Sequence, residues 1–210
     1  TVVRECANAV GMSLDDVYTL PLKIGERPEL DDKVAATLQG FVDQDVQGIF
    51  QFEGGAMRSV LSQFHTTINF TELVHINALS RPGPLHGGMT TAFISVRNKV
   101  TEQGKMHPAV DALLDYTYGQ VVYQEQVMAI AQQVGHMSWD SINQMRRAMS
   151  KKYGEEFFAR LKVEFVTGAV EQSGMPEKDA SDIWENIVTF GAWAFNISHA
   201  VSYSILSYWE

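Results

Sequence analysis

The stretch "NFTELVHINALSRPGP", residues 69–84, carries the signals that begin and end a helix. Asn69 is followed three residues later by Glu72 and then by an apolar run, which is the pattern of an N-terminal capping box. The two prolines of "RPGP" remove backbone donors and disfavour helix in the residue before them, so they predict a rigid turn that carries Arg81 outward. This segment therefore predicts one helix with two defined ends.

Apolar residues recur at the helical spacing i, i+3, i+4, i+7 through much of the remaining sequence. The predicted helices cover residues 55–64, 87–98, 121–135, 139–149, 155–172, 176–190 and 198–209. Pro176 suits the first position of its helix, where a missing N–H costs nothing. The only extended segment that we predict is "GIFQFE", residues 48–53. The expected fold class is mainly α, with irregular connections and little or no sheet.

The composition indicates a folded protein with an acidic balance. The chain has 210 residues, 45% of them hydrophobic, and a formal net charge of -9 from 16 Lys plus Arg and 25 Asp plus Glu. This length and apolar content support a real core, whereas the charge is opposite to that of a free-standing nucleic-acid module. We therefore expect any contact with DNA to be local, or shared with parts outside this sequence.

The single cysteine, Cys6, cannot form an internal disulfide, and no apolar run is long enough to span a membrane. We therefore expect a soluble protein of the reducing cytoplasm. Both ends of the sequence have helical apolar patterns without a cap, which we interpret as a piece of a longer protein. Residues 1–50 are the most acidic part and contain the loop "TLPLKIGERPELDD", which we take as a boundary between segments.

Four cations stand close together in "QMRRAMSKKYGEE", residues 144–156. On a helix, Arg147 and Lys151 share a face, Arg146 points about 100° away, and Lys152 adds a further charge. Arginine forks and mobile lysine charges together suit a polyphosphate. The alternative is a solvated helix end that pairs with the two glutamates that follow. Composition alone leaves both interpretations open.

Polar and aromatic residues meet at a predicted helix start in "FGAWAFNISHAVSYSILSYW", residues 190–209. Asn196, Ser198 and His199 cluster where free backbone N–H groups are expected. Trp193 offers a flat surface on which a base could stack. The alternative is an ordinary Ser or Asn cap beside a core tryptophan.

Other candidate sites are weaker. Asp43 and Asp45 have a spacing seen in metal sites, but the surrounding sequence offers no third ligand. The histidines are scattered and suggest no metal site or nucleophile, and "GGAMRS" lacks the lysine of a phosphate-binding P-loop.

Five separated segments, in this order, carry a family resemblance: "GIFQFE", "ALSRPGPLHGGM", "YGQVVYQEQVMAIAQ", "MRRAMSKK" and "FNISHAVSYSILSY". Together they resemble the C-family replicative DNA polymerases, the bacterial DNA polymerase III alpha subunits, over residues 48–209. The resemblance implies that residues 1–50 form a palm-to-fingers segment at the C-terminal part of the palm. It implies that residues 51–210 form the fingers domain, truncated at its C-terminal end. The divergent intervening sequence leaves a phage relative open.

In that family, palm aspartates hold two Mg²⁺ ions and the fingers receive the incoming deoxynucleoside triphosphate. We find no counterpart of those aspartates, so the resemblance implies that the Mg²⁺ ligands lie outside this sequence and that the isolated chain does not polymerise DNA. Its implied partners are the incoming dNTP, primer-template DNA and the remaining polymerase domains. The clamp and the proofreading subunit would be reached through the full-length protein.

The resemblance also implies roles for single residues. Arg146, Arg147, Lys151 and Lys152 match positions that hold the triphosphate of the incoming nucleotide.

A second group matches the motif around the base and sugar. Trp193 falls where the family usually has a tyrosine beside the nascent base pair. His199 falls on a histidine near the sugar, a candidate gate against the ribose 2′-hydroxyl, and Asn196 and Ser198 match the same motif. Arg81 matches the "RPGP" loop, where it would contact DNA or support the palm junction.

The sequence departs from the family pattern at three places. Ile197 replaces a lysine, Ser150 replaces a glycine, and "AWAFN" replaces "GYGFN". The acidic balance and the missing aspartates motivate an alternative, a non-catalytic helical scaffold or split remnant of a replication polymerase. Aspartates encoded upstream in the same frame would discriminate between the two.

Overall fold

The computed structural model describes residues 2–20, 32–151 and 155–210, without the side chains of 150, 151, 155 and 156. Within these ranges the chain forms thirteen α-helices, one 3-10 helix at Asp115–Thr117 and no β-strand. The α-helices are α1 Val2–Ala9, α2 Leu14–Tyr18, α3 Asp32–Val42, α4 Gly55–Leu61, α5 Phe70–Leu79, α6 Pro82–His86, α7 Met89–Arg97, α8 Pro108–Leu114, α9 Gln124–Gln133, α10 Trp139–Lys151, α11 Glu155–Ser173, α12 Glu177–Gly191 and α13 Ile197–Trp209. The predicted class, mainly α, is confirmed.

The capping box predicted at the start of α5 is present. The backbone N–H of Glu72 donates to the Asn69 side chain at 2.8 Å, and the backbone N–H of Asn69 donates to the Glu72 carboxylate at 2.9 Å. The two bonds satisfy backbone donors that a helix start leaves without partners, so this local pattern alone begins α5 where the sequence predicts.

The turn predicted at "RPGP" is instead the start of a short helix. Pro82 is the first residue of α6, because its fixed φ suits that position and no N–H is needed there. Arg81 does not point freely outward: it is half-buried, its Nε donates to the carbonyl of Ala78 at 2.8 Å, and burial lowers its pKa. The prediction of an outward Arg81 was therefore wrong.

The prediction of an extended segment at "GIFQFE" was also wrong. It is a succession of turns, in which Ile49 N donates to Val46 O at 3.2 Å and Phe52 N donates to Ile49 O at 3.1 Å. Phe52 is fully buried and meets the edge of the Phe41 ring at a centroid distance of 4.9 Å. Packing of this ring into the core decides the backbone here, against the β-propensity of the segment.

Pro176 lies one residue before the helix position that the sequence predicts for it. Pro176 is the N-cap of α12 and not its first helical residue, because its ψ of 137° is not helical.

The chain divides into two compact units, Thr1–Ile94 with Ser198–Glu210, and Ser95–Ile197. In the first unit nearly all of α5 is buried, including the polar side chains of Glu72, His75 and Asn77. Its buried Asn77 donates to the Ser204 hydroxyl of α13 at 3.3 Å, and Phe70 meets the Tyr208 ring edge-on at 5.8 Å. Residues of α13 from Ser198 onward thus pack on α5.

The second unit has a separate core built by α8 to α12. Phe165 of α11 lies against Trp184 of α12, with ring centroids 5.3 Å apart. Glycine allows α11 to approach the turn after α9: a Cβ on Gly135 would lie 2.1 Å from the Phe165 ring. None of the described helices is long and apolar enough to cross a membrane.

Candidate functional site

The cation cluster lies on the solvent side of α10. Arg146 and Arg147 are exposed, whereas Met145 and Ala148 on either side of them are buried. The helix therefore presents two adjacent guanidinium groups to solvent at different angles, as the helical spacing predicts. Lys151 is the last residue of α10, and its side chain lies outside the described part of the chain.

Lys152 lies wholly outside the described residues, so its role stays a prediction. The departure at Ser150 falls on an undescribed side chain in the same stretch.

The other end of α10 is fastened to α11 through Glu164. The Glu164 carboxylate accepts the backbone N–H of Ser138 at 2.8 Å and the hydroxyl of Ser141. Burial raises the pKa of Glu164, but hydrogen bonds from Ser141 and Ser138 and the charge of Arg160 together outweigh it, and the net pKa is lowered. This contact ties the start of α10 to α11.

The second predicted segment begins where α12 ends. The backbone turns there, with Trp193 N donating to Phe190 O at 3.0 Å and Ala194 N donating to Gly191 O at 3.1 Å. The indole of Trp193 is half-buried and lies 6.3 Å from the Phe190 ring at an interplanar angle of 63°. Trp193 is therefore partly exposed to solvent, unlike a fully buried core tryptophan.

Gly191 brings this turn against α10. A Cβ on Gly191 would lie 3.1 Å from Met149 Sδ and 3.6 Å from a methyl carbon of Val127. Met149 lies two residues after Arg147, and Gly191 lies two residues before Trp193. The cation-bearing helix and the tryptophan turn, residues 191–197, are thus neighbours within one unit.

Asn196 has a partner that the sequence did not predict. Its Nδ2 donates to Glu125 Oε1 at 2.9 Å, and the backbone N–H of Ile197 donates to Glu125 Oε2 at 3.1 Å. Glu125 lies in the first turn of α9, 71 residues from Asn196. The only sequence feature that points to Glu125 is its position inside the "YQEQ" segment, and this position does not indicate which residue it binds.

Two predicted residues, Ser198 and His199, lie in the first unit and are exposed in the first turn of α13. The His199 ring lies 4.0 Å from the Tyr203 ring at an angle of 34°. The Ser198 carbonyl accepts the Ser202 hydroxyl at 2.8 Å.

Arg81 also belongs to the first unit. Among the described side chains, the second unit by itself therefore contains four of the predicted site residues: Arg146, Arg147, Trp193 and Asn196.

Comparison with known proteins identifies a family to which this chain is similar. A family model described as "Bacterial DNA polymerase III alpha subunit finger domain" matches residues 8–173. The DNA polymerase III subunit alpha of Halalkalibacterium halodurans is 38% identical over 193 residues, which is 92% of this chain and 17% of that protein. The corresponding subunit of Neisseria meningitidis serogroup B is 36% identical over 208 residues, 99% of this chain and 17% of that protein.

A third relative, DNA polymerase III subunit alpha of Campylobacter jejuni, is 36% identical over 178 residues, 85% of this chain and 14% of that protein. The chain thus spans less than one fifth of the length of these relatives. Because the finger model covers most of the chain and the identity extends to nearly all of it, the chain belongs to the bacterial DNA polymerase III alpha subunit family and corresponds to its finger region.

Proposed function

We propose that this chain is the part of a DNA-directed DNA polymerase that binds the triphosphate and the base of the incoming dNTP during template-directed synthesis. The main support for this proposal is the pair of exposed arginines on α10. Met149 of the same helix contacts Gly191 in the turn that bears Trp193. A cationic surface and an aromatic surface on adjacent elements are what a nucleotide requires.

The triphosphate is assigned to Arg146 and Arg147, with Lys151 and Lys152. A planar guanidinium donates two parallel hydrogen bonds to phosphate oxygens, and lysine contributes a point charge. The net charge of -9 supports a local anion site, because a cluster of cations in an acidic chain is not part of a general positive surface. A solvated helix end would need no such neighbouring aromatic surface.

The base is assigned to Trp193 and the sugar to the segment around His199. Stacking of a base on an aromatic ring is worth about 1–3 kcal/mol. His199 is proposed to stand near the ribose 2′ position, with Ser198 and Asn196 in the same motif. Arg81 is proposed to contact DNA or to support the palm junction, and its half-buried position against Ala78 favours the supporting role.

The remaining assignments concern the whole polymerase. We assign residues 1–50 to the palm-to-fingers segment and residues 51–210 to the fingers. The chain would act in the cytoplasm with primer-template DNA and the other polymerase domains, and would reach clamp and proofreading proteins through the full-length protein. It would not polymerise DNA alone.

Two-metal chemistry in the intact enzyme would be supplied by Mg²⁺. The described residues do not fit such a site, because no three His, Cys, Asp or Glu side chains among them are grouped to hold a metal ion. No step of this proposal therefore runs through a metal bound by this chain.

The test is Arg147→Ala in the intact polymerase, measured by single-nucleotide incorporation. Loss of a charge-assisted contact to phosphate costs about 1.5–3 kcal/mol, so kcat/KM for dNTP should fall about 10- to 100-fold. Arg4→Ala, which removes an exposed arginine from α1, is the matched control and should change nothing. Normal kinetics for Arg147→Ala would contradict the triphosphate site and favour the scaffold alternative.

A further inference from the structure

Glu125 uses both of its carboxylate oxygens on consecutive residues of the tryptophan turn. Oε1 accepts the Asn196 side-chain amide at 2.9 Å, and Oε2 accepts the backbone N–H of Ile197 at 3.1 Å. Hydrogen bonds to a carboxylate are stronger than those between neutral groups. A single half-buried side chain of α9 therefore holds the end of the turn that bears Trp193.

The backbone that carries Glu125 is itself held firmly. Gln126 Oε1 accepts the backbone N–H groups of Val122 and Tyr123, both at 2.9 Å, and its Nε2 donates to the Thr117 hydroxyl at 2.7 Å. Gln126 and Thr117 are buried. The start of α9 is thus fixed from two sides, and with it the backbone that carries Glu125.

The tryptophan turn is joined to the same place through its backbone. Phe195 N donates to Val122 O, and Gln124 N donates to Phe195 O, each at 2.9 Å. These bonds make the isolated parallel bridge between Tyr123 and Phe195. The bridge fixes Phe195, and Glu125 extends the attachment by two residues, so the segment after Trp193 has one defined path.

We propose that Glu125 is a positioning residue of the nucleotide site, and that Asn196 acts through Glu125 and not by binding the nucleotide itself. This inference rests on the proposed function, because it concerns the same segment. Glu125 holds Asn196 and the Ile197 backbone so that Trp193 presents its indole in a single geometry.

A donor–acceptor exchange tests the contact in the intact polymerase. In Glu125→Gln, the Asn196 amide must turn over to offer its oxygen to the introduced amide nitrogen, and both hydrogen bonds lose the carboxylate charge that strengthens them. In the double variant Glu125→Gln with Asn196→Asp, the introduced glutamine donates its amide N–H to the introduced carboxylate, while its oxygen still accepts the Ile197 N–H. The exchange restores both bonds and preserves the net charge.

We expect each single variant to lower kcat/KM for dNTP about tenfold and the double variant to recover to within about threefold of the wild type, the coupling expected of side chains in direct contact. Glu171→Gln, at an exposed glutamate of α11, is the matched control and should leave the kinetics unchanged. A double variant as poor as the product of the two single variants would overturn the inference, because Asn196 would then act on the nucleotide directly.

A second readout does not depend on catalysis. Hydrogen exchange of the Ile197 amide in the intact polymerase should accelerate about tenfold in Glu125→Ala and not in Glu171→Gln, because only the first variant frees that N–H. Unchanged exchange in Glu125→Ala would overturn the contact itself. Normal kinetics of Arg147→Ala would instead contradict the proposed nucleotide site, so the two failures are distinguishable.

Discussion

A Cβ atom on Gly168 would lie 2.0 Å from the carbonyl oxygen of Gly135 and 3.3 Å from the Cβ of His136. The turn after α9 therefore rests directly on the backbone of α11, and only glycine leaves room for it. The nearest obstacle is backbone, which cannot rotate away as a side chain can. Close approach of this kind is one reason why a helix tolerates a residue of low helix propensity in its interior.

Gly168→Ala should accordingly destabilise the chain by about 3 kcal/mol or more, because the added methyl group forces α11 away from the turn. Chemical unfolding followed by circular dichroism measures this change. The matched control is Gly40→Ala, since Gly40 lies in α3 and a Cβ there meets nothing within 4 Å. That substitution should leave stability unchanged or raise it by about 0.5–1 kcal/mol. Equal effects of the two substitutions would show that packing at Gly168 is not the cause.

Acid should weaken the attachment of α10 to α11. Burial opposes the ionisation of Glu164, but hydrogen bonds from Ser141 and Ser138 and the charge of Arg160 together outweigh burial, so the net pKa is lowered from 4.5. A lowered pKa means that the folded state prefers the carboxylate. The resulting stability is present above the unfolded-state pKa and is lost as the pH falls through the lower folded-state pKa.

Glu164→Gln should therefore lower the free energy of unfolding at pH 7 by about 1 kcal/mol or less, since the lost charge-assisted contact lies at a site that solvent partly screens. The difference from the wild type should shrink as the pH falls below 4.5. Urea unfolding at a series of pH values measures it. Glu171→Gln, from the exposed side of the same helix, should give no such trend, and a difference for Glu164→Gln that stays constant with pH would contradict the explanation.

Local patterns in this sequence predict local structure well. The capping box at Asn69 and Glu72 and the helical spacing around Arg146 and Arg147 depend on residues within about one turn of each other, so they can be recognised without knowledge of the fold. The class of fold and the exposure of the arginines follow from such patterns.

Contacts between distant residues could not be predicted in the same way. Glu125 accepts a hydrogen bond from Asn196, which lies 71 residues away in the sequence, and no local pattern around either residue predicts this pair. The turns of "GIFQFE" are decided by burial of Phe52 in the core, which overrides a local preference for extended backbone. The contact of Arg81 with Ala78 arises because a half-buried guanidinium must satisfy its donors nearby.

Ring contacts of His199 bear on the selection of the sugar. His199 is exposed, and its ring lies 4.0 Å from Tyr203, whose own ring lies 5.2 Å from Phe50. Rings in contact limit the rotation of His199, and such contacts are worth about 0.5–1.5 kcal/mol. Under the proposed function, the imidazole is therefore held in a defined place, as a steric gate against the ribose 2′-hydroxyl requires.

His199→Ala in the intact polymerase should raise ribonucleotide incorporation relative to deoxynucleotide incorporation by about 10- to 100-fold, because exclusion of one added hydroxyl is worth about this much. Tyr203→Leu should give a smaller change in the same direction, since the imidazole remains but is no longer held. His65→Ala, at another exposed histidine of the same unit, is the control and should not alter sugar selectivity. The ratio of kcat/KM values for a matched ribonucleotide and deoxynucleotide measures all three. An unchanged ratio in His199→Ala would remove the gate role, and an effect of Tyr203→Leu without one of His199→Ala would assign selectivity to the tyrosine.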